Sequence, residues 1–238
     1  MNLGRKRSTS GRGDRLRPQR AHSRYYILTL IRREIENTLA NKLDASVGLR
    51  ALDFGCGNMP YRPLFEHAGI EYVGADRSDN EMATTRVDSS GSVDSPDGAY
   101  DVVLSTQVLE HVPSPLEYLD ECHRLLKPGG RLILSTHGYW PYHPDPTDFW
   151  RWTGEGLKKL IGDSGLTILD FDGLIGLKGV AIHLFQDSTR CYLPRCLRSA
   201  YGYCMQRLIM LADRLHTPEE RRRDAMVFFL TAKKPDRK

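Results

Sequence analysis

The residue types most able to do chemistry lie in Asp53-Phe54-Gly55-Cys56-Gly57-Asn58, where an apolar run starting at Leu49 ends in an acid and two closely spaced glycines. The run is short and free of proline, as expected of a strand buried on both faces. Glycines at 55 and 57 remove side chains where a turning backbone must approach a ligand. The pattern predicts strand, tight turn and helix start, with a nucleoside ligand at the carboxyl end of a sheet. Dinucleotide binding needs a small residue three positions after the second glycine. That position is Pro60, and the Asp53 carboxylate would repel a pyrophosphate while suiting a cationic group.

A nucleoside site also needs a second strand ending in an acid that accepts both ribose hydroxyls, about twenty residues on. Ile70-Glu71-Tyr72-Val73-Gly74-Ala75-Asp76 supplies it. Arg86-Val87-Asp88 reads as a short third strand with an acid at its tip. Tyr100 to Ser105 reads as a fourth, running into Thr106-Gln107-Val108-Leu109-Glu110-His111-Val112. Leu125-Leu126-Lys127-Pro128-Gly129-Gly130 gives a helix end and a stop before a fifth strand to Ser135.

These segments, in this order, resemble the motifs of the class I S-adenosylmethionine-dependent methyltransferases, especially the type 11 group. The resemblance covers Leu49 to Gly176 and Ala225 to Ala232. It implies an α/β, Rossmann-like three-layer sandwich whose seven-stranded, mostly parallel sheet has the order 3-2-1-4-5-7-6, the last strand antiparallel. It implies S-adenosyl-L-methionine as cofactor, with Asp53, Gly55 and Gly57 around its methionine end and ribose, Asp76 on the ribose and Asp88 near the adenine amino group. Gln107, in the motif after strand four, completes the expected cofactor set.

On the acceptor side, the segment His137 to Trp152 holds all three tryptophans and three prolines. Proline forbids a regular helix and tryptophan argues against a solvated linker, so the segment is expected to fold over the carboxyl end of the sheet as a substrate wall. A hydroxyl acceptor needs help losing its proton. His143 and Asp145 are the candidate catalytic residues, weighed against a bracing role, which is favoured for Asp148 and for local bonding by His111.

The elements that must position these groups follow from periodicity. Tyr25, Leu28, Ile31, Ile35 and Leu39 recur at helical spacing and predict an amphipathic helix from Ser23 that packs on the sheet or covers the cofactor. Thr153 is expected to cap a helix reaching Ser164, Leu166 to Leu174 to form strand six and Ala225 to Ala232 strand seven. Between them, residues 176–224 read as a largely helical insert. Its apolar, tyrosine-rich stretch from Tyr192 to Leu215, interleaved with arginines, is a substrate lid, a dimer surface, an interfacial helix making a peripheral membrane contact, or simply a packed helix.

Composition bounds the rest. A chain of 238 residues with 40% hydrophobic content can bury one sizeable α/β core. The expected organisation is a disordered basic arm over 1–22 and one domain over 23–238. Through Arg24 the arm sets eight basic groups against Asp14, a balance of +7 that leaves about −3 for the rest of a chain totalling +4. A domain without basic character disfavours nucleic acid as the partner. Five cysteines without a Cys-x-x-Cys pair fit a reduced, cytoplasmic setting, and no metal site is read from their spacing.

The expected function is methyl transfer to a small-molecule, sugar or lipid-linked acceptor. The proline-rich loop further resembles type 11 enzymes encoded among surface-glycan genes. An RNA or DNA methyltransferase using the basic arm, and a non-catalytic interaction protein on the same fold, are the alternatives; loss of nucleic-acid binding on deleting 1–22 would mark the first, absence of turnover the second.

Overall fold

Alternation of apolar side chains along the strands builds a sheet covered on both faces. The computed structural model describes residues 15–41, 43, 48–144 and 147–236. Its strands are β1 (Arg50–Phe54), β2 (Glu71–Arg77), β3 (Thr85–Val87), β4 (Tyr100–Thr106), β5 (Leu126–His137), β6 (Thr167–Gly176) and β7 (Ala225–Lys233). They form one seven-stranded sheet in the order β3-β2-β1-β4-β5-β7-β6. The β1–β2, β1–β4, β2–β3 and β4–β5 pairs are parallel, and β7 runs antiparallel to both β5 and β6. The expected architecture and strand order are those observed.

Successive residues point to opposite layers, as the strand period of two requires. Leu52, Val103, Leu132 and Leu134 join the core under α3 (Pro115–Leu125) and α4 (Gly154–Asp163). Ala51, Val102, Leu104 and Ile133 join the opposite core, under α1 (Tyr25–Asn41). Helix α1 buries Ile27, Leu30, Ile31 and Ile35, each 5% exposed or less, and so packs on the sheet. Each such side chain contributes roughly 1.5–3 kcal/mol on burial.

The helix expected straight after Gly57 is delayed. Met59 adopts φ 51° and its N–H bonds Cys56 O at 2.8 Å, so a further turn intervenes before α2 (Arg62–His67). The segment of the sixth connection forms α5 (Leu177–Arg190), α6 (Arg198–Asp213) and α7 (Pro218–Arg223). Thr217 caps α7 through a reciprocal bond pair with Glu220.

The disordered span expected over 1–22 needs correction at its end; residues 1–14 lie outside the described residues. Leu16 packs against the α1-side core, and Ser23 O accepts the side-chain amides of Gln186 and Gln206 at 3.0 and 2.9 Å. Ala21 O comes so close to α6 that a Cβ at Gly202 would lie 2.5 Å from it. Arg24 is spent on both Asp187 oxygens, at 2.7 Å each. Buried amides and a glycine contact therefore dock this end of the arm. Among the described residues, no helix is long and apolar enough to cross a membrane.

Candidate functional site

Parallel pairing of β1 with β2 sets Asp53 beside Gly74 and carries Asp76 one residue past the end of β1. The turn after β1 then wraps over β2: Gly55 and Cys56 both donate backbone N–H groups to Ala75 O, at 2.8 and 3.1 Å. Gly55 holds φ 84°, and a Cβ there would lie 2.6 Å from Val108 Cγ2. Gly57 N–H donates to Asp76 Oδ2 at 3.0 Å, and the Asn80 amide bridges Asp76 Oδ2 and Gly57 O at 2.7 Å each. The structure thus brings Asp53, Gly55, Gly57 and Asp76 together at the carboxyl end of the sheet.

Asp53 is buried, and the Tyr72 hydroxyl donates to its Oδ2 while Oδ1 has no hydrogen-bond partner. Burial pushes its carboxyl up to about 7; the bond from Tyr72 opposes this and the charge of Asp76 adds to it. An unpartnered buried carboxylate oxygen beside a glycine turn suits a cationic group such as the ammonium of an amino-acid moiety.

Gln107 follows β4 with φ 56°, a conformation uncommon for a residue with a side chain. Two bonds to Ser135 hold it, N–H to O at 2.9 Å and Nε2 to Oγ at 3.0 Å. This places Val108 against Gly55 and ties the fourth strand's exit to the turn. Asp88 follows β3, whose Val87 pairs with Arg77, so it stands at the same end of the sheet one strand further out. Its Oδ1 accepts from Ser90 N–H, Ser90 Oγ and Ser92 N–H, which hold the exposed carboxyl below its ordinary range.

The tryptophan-rich loop docks where expected. Glu110 O accepts the N–H groups of Phe149 and Trp150 at 2.9 and 3.3 Å, His137 O accepts Trp152 N–H at 3.0 Å, and Val112 O accepts Trp150 Nε1 at 2.8 Å. Arg151 binds both oxygens of Asp148, at 2.7 and 2.5 Å, and the carbonyls of Trp140 and Pro141 at 2.7 and 2.9 Å. Asp148, whose second oxygen also accepts His143 N–H at 2.9 Å, is a brace; despite its burial, Arg151 holds its carboxyl well below the usual range. His111 bonds Thr147 O through Nδ1 at 2.5 Å and lies in a 3-10 turn, Leu109–His111, rather than a helix. Asp145 lies outside the described residues.

His143 meets the rings of both His111 and His137 edge-on, at 4.9 Å between centroids. His137 stacks on Trp140 at 4.2 Å, and its Nδ1 lies 3.2 Å from Glu110 Oε1. Burial lowers the pKa of both His137 and His143 and raises the Glu110 carboxyl to about 7, so the imidazoles are neutral near pH 7.

Sequence reasoning missed Tyr72, Asn80 and Glu110 as site groups, and placed His137 only at the end of strand five. Glu110 was legible: Thr106 pairs with Ser135, so the residues just past each strand must meet. Nothing in the spacing of Tyr72 or Asn80 signals a bond to an acid on another strand or at a turn.

A methyltransferase-domain family model matches residues 20–169. The ubiquinone biosynthesis O-methyltransferase of Roseobacter denitrificans is 36% identical over 124 residues, 47% of this chain and 50% of that protein. That of Dinoroseobacter shibae is 31% identical over 158 residues, 54% and 64% of the two chains. The chain spans about half the length of the curated relatives it matches. Among solved structures, the [4+2]-cyclase SpnF superposes with a TM-score of 0.57 at 22% identity, over 86% of this chain and 81% of that one. A sarcosine dimethylglycine methyltransferase described as putative, from Galdieria sulphuraria, gives 0.53 at 16% identity over 88% of each.

This chain belongs to the methyltransferase-domain family, within the class I S-adenosylmethionine-dependent methyltransferases. Its cofactor is S-adenosylmethionine. A cyclase on the same fold shows that the fold alone does not set the reaction.

Proposed function

We propose that this protein transfers a methyl group from S-adenosylmethionine to a hydroxyl oxygen of a small-molecule acceptor. The observation that carries the reading is the meeting, at one end of the sheet, of two unlike groups of residues. The Asp53–Asp76 turn offers one buried unpartnered carboxylate oxygen, and the Glu110–His137–His143 cluster gathers where β4 and β5 end and the aromatic loop begins. An oxygen acceptor accords with relatives named O-methyltransferases.

In this reading Asp53 takes the ammonium of the methionine end, Gly55 and Gly57 let the backbone approach, and Asp76, held by Asn80, takes the ribose hydroxyls. Asp88 and Gln107 flank the base. When bound, S-adenosylmethionine supplies a methyl on a sulfonium: the acceptor oxygen bonds to carbon as the C–S bond breaks and its electron pair returns to sulfur. The chain's own part is alignment and handling of the hydroxyl proton. His143, with Asp145 beside it in sequence, stands on the acceptor side, and the aromatic loop keeps water from the reacting oxygen.

A lipid-borne acceptor is the second reading, favoured by the surface of α5 and α6. Phe185 on α5, Leu208 and Leu211 on α6 and Leu215 just past it are 58%, 50%, 55% and 68% exposed, and Arg207 and Arg214 lie beside Leu208 and Leu215 in sequence. A sugar acceptor rests on the loop's composition alone.

Isothermal titration with S-adenosylhomocysteine, with NAD as control, tests the cofactor half; binding of the former alone is expected, and heat from NAD instead would overturn it. Turnover of hydroxyl-bearing acceptors, free and in vesicles, tests the other half. His143→Ala should retain cofactor affinity while turnover falls by about 10²-fold or more.

A further inference from the structure

Buried polar atoms are almost always hydrogen-bonded, and each exception costs about 1–3 kcal/mol, so several at one point require a cause. Glu110 Oε1, His137 Nδ1 and His143 Nδ1 are all buried without a hydrogen bond. Glu110 and His137 are 0% and 2% exposed. One ligand atom from each of these three residues lies within 4.8 Å of the other two. Glu110 Oε1 and His137 Nδ1 approach to 3.2 Å yet are not aligned to bond.

The three groups are held from behind. Glu110 Oε2 accepts the Thr136 hydroxyl at 2.9 Å, which fixes the carboxylate and leaves Oε1 free. The His137 ring is clamped flat on Trp140, with 9° between planes. His143 is anchored through its backbone N–H to Asp148, and its Nδ1 is 3.3 Å from the Asp148 carboxylate. The cation of this region, Arg151, is paired with both oxygens of Asp148, so its charge is spent. His111 commits Nδ1 to Thr147 O, and its Nε2 stands 4.0 Å from Glu110 Oε1. What remains is one carboxylate and two imidazoles that can each bring a ligand atom within 4.8 Å of the other two.

We propose that Glu110, His137 and His143 form a binding site for a divalent cation of the Zn²⁺ class, with an open coordination position facing the acceptor. Two imidazoles and one carboxylate are a donor set for a borderline ion rather than for Ca²⁺ or Mg²⁺, which take oxygen ligands. Bonds of about 2.1 Å in tetrahedral array bring donors about 3.4 Å apart, so the ion draws the three residues together by a modest amount. Three protein ligands leave the fourth position for an outside oxygen. An acceptor hydroxyl there becomes more acidic and gives its proton to water, and its oxygen is then ready to take the methyl group. This role rests on the methyl-transfer reading, whereas the binding of the ion does not.

The test uses the full-length, tag-free chain, stripped with chelator and titrated with ZnCl₂ by calorimetry and with CoCl₂ by visible absorption. One ion per chain is expected, with a Co²⁺ band of low-symmetry, four- or five-coordinate type. His143→Ala changes a half-exposed loop residue, so the fold should survive; it should weaken Zn²⁺ binding at least tenfold and bleach the Co²⁺ band. Glu110→Gln should do the same where circular dichroism shows it folded. Replacing exposed Cys191, Cys196 and Cys204 together by Ser should change nothing. Absence of stoichiometric binding, indifference to His143→Ala, or loss of binding with the cysteine variant would each overturn the site. S-adenosylhomocysteine titration of the same samples separates the two readings, because an ion site without cofactor binding defeats methyl transfer alone.

Discussion

The Tyr72 hydroxyl donates to Asp53 across the β1–β2 pair and leaves the acid's other oxygen buried with no hydrogen bond. With its folded pKa raised by burial from 3.8 to about 7, Asp53 keeps its proton in the folded state while the unfolded chain has lost it. The group therefore costs nothing below about pH 4, costs progressively more as pH rises from 4 to 7, and costs a constant amount above, on the order of a few kcal/mol. Asp53→Asn should remove this part of the decline. Chemical denaturation at pH 5, 6, 7 and 8 reads it; parallel stability profiles for the two proteins would refute the assignment.

Cofactor binding should be linked to the same proton. An ammonium docking at Asp53 Oδ1 favours the carboxylate, so binding below pH 7 releases a proton and affinity climbs towards pH 7 before levelling. Calorimetry with S-adenosylhomocysteine in buffers of different ionisation enthalpy measures the release. Asp53→Asn should bind more weakly and release none.

Asp76 and Asn80 are expected to act unequally. Asp76→Ala removes the carboxylate proposed to hold the ribose and should weaken cofactor binding by about 1–3 kcal/mol. Asn80→Ala leaves the acid in place but frees it from the 2.7 Å amide contact, so a loss of about 0.5–1.5 kcal/mol is expected. Equal losses by calorimetry would mean that Asn80 itself touches the ligand.

Gly55 tests how the fourth strand's exit shapes the turn. Gly55→Ala forces a side chain into a left-handed backbone at φ 84°, a cost of about 1–2 kcal/mol, and drives Cβ to 2.6 Å from Val108. Adding Val108→Ala should restore the overlap part and none of the backbone part. Thermal melts of both variants check the division, and full recovery by the second change would show that backbone strain is negligible here.

The sheet and the glycine turn after β1 were legible because each rests on local signals: apolar runs, an acid at the tip of each of the first three strands, and glycine where φ must be positive. The start of α2 was not, since nothing in Met59-Pro60 announces that a side-chain-bearing residue takes φ 51° and postpones the helix. The end of the basic arm was misread for a different reason. Its arginines and glycines look solvated, yet Ala21 and Ser23 meet α5 and α6, more than 150 residues away, in contacts that no local pattern encodes. The acceptor-side cluster stands between these cases. Glu110 and His137 are 27 positions apart, and only the Thr106–Ser135 pairing makes them neighbours.

Arg151 carries the last prediction, because its side chain ties the two halves of the aromatic loop together. Its guanidinium spans two carbonyls, Trp140 and Pro141, and both oxygens of an Asp148 side chain that is 1% exposed. Lysine keeps the charge but cannot make this fork of bonds. Arg151→Lys should therefore release the loop, which holds all the chain's tryptophans, without touching the Asp53–Asp76 turn. A red shift of tryptophan emission and faster proteolysis between 138 and 152 are expected, with turnover reduced and S-adenosylhomocysteine affinity kept. Affinity falling in step with turnover would mean that the loop closes over the cofactor rather than the acceptor, and the two halves of the site would have to be drawn differently.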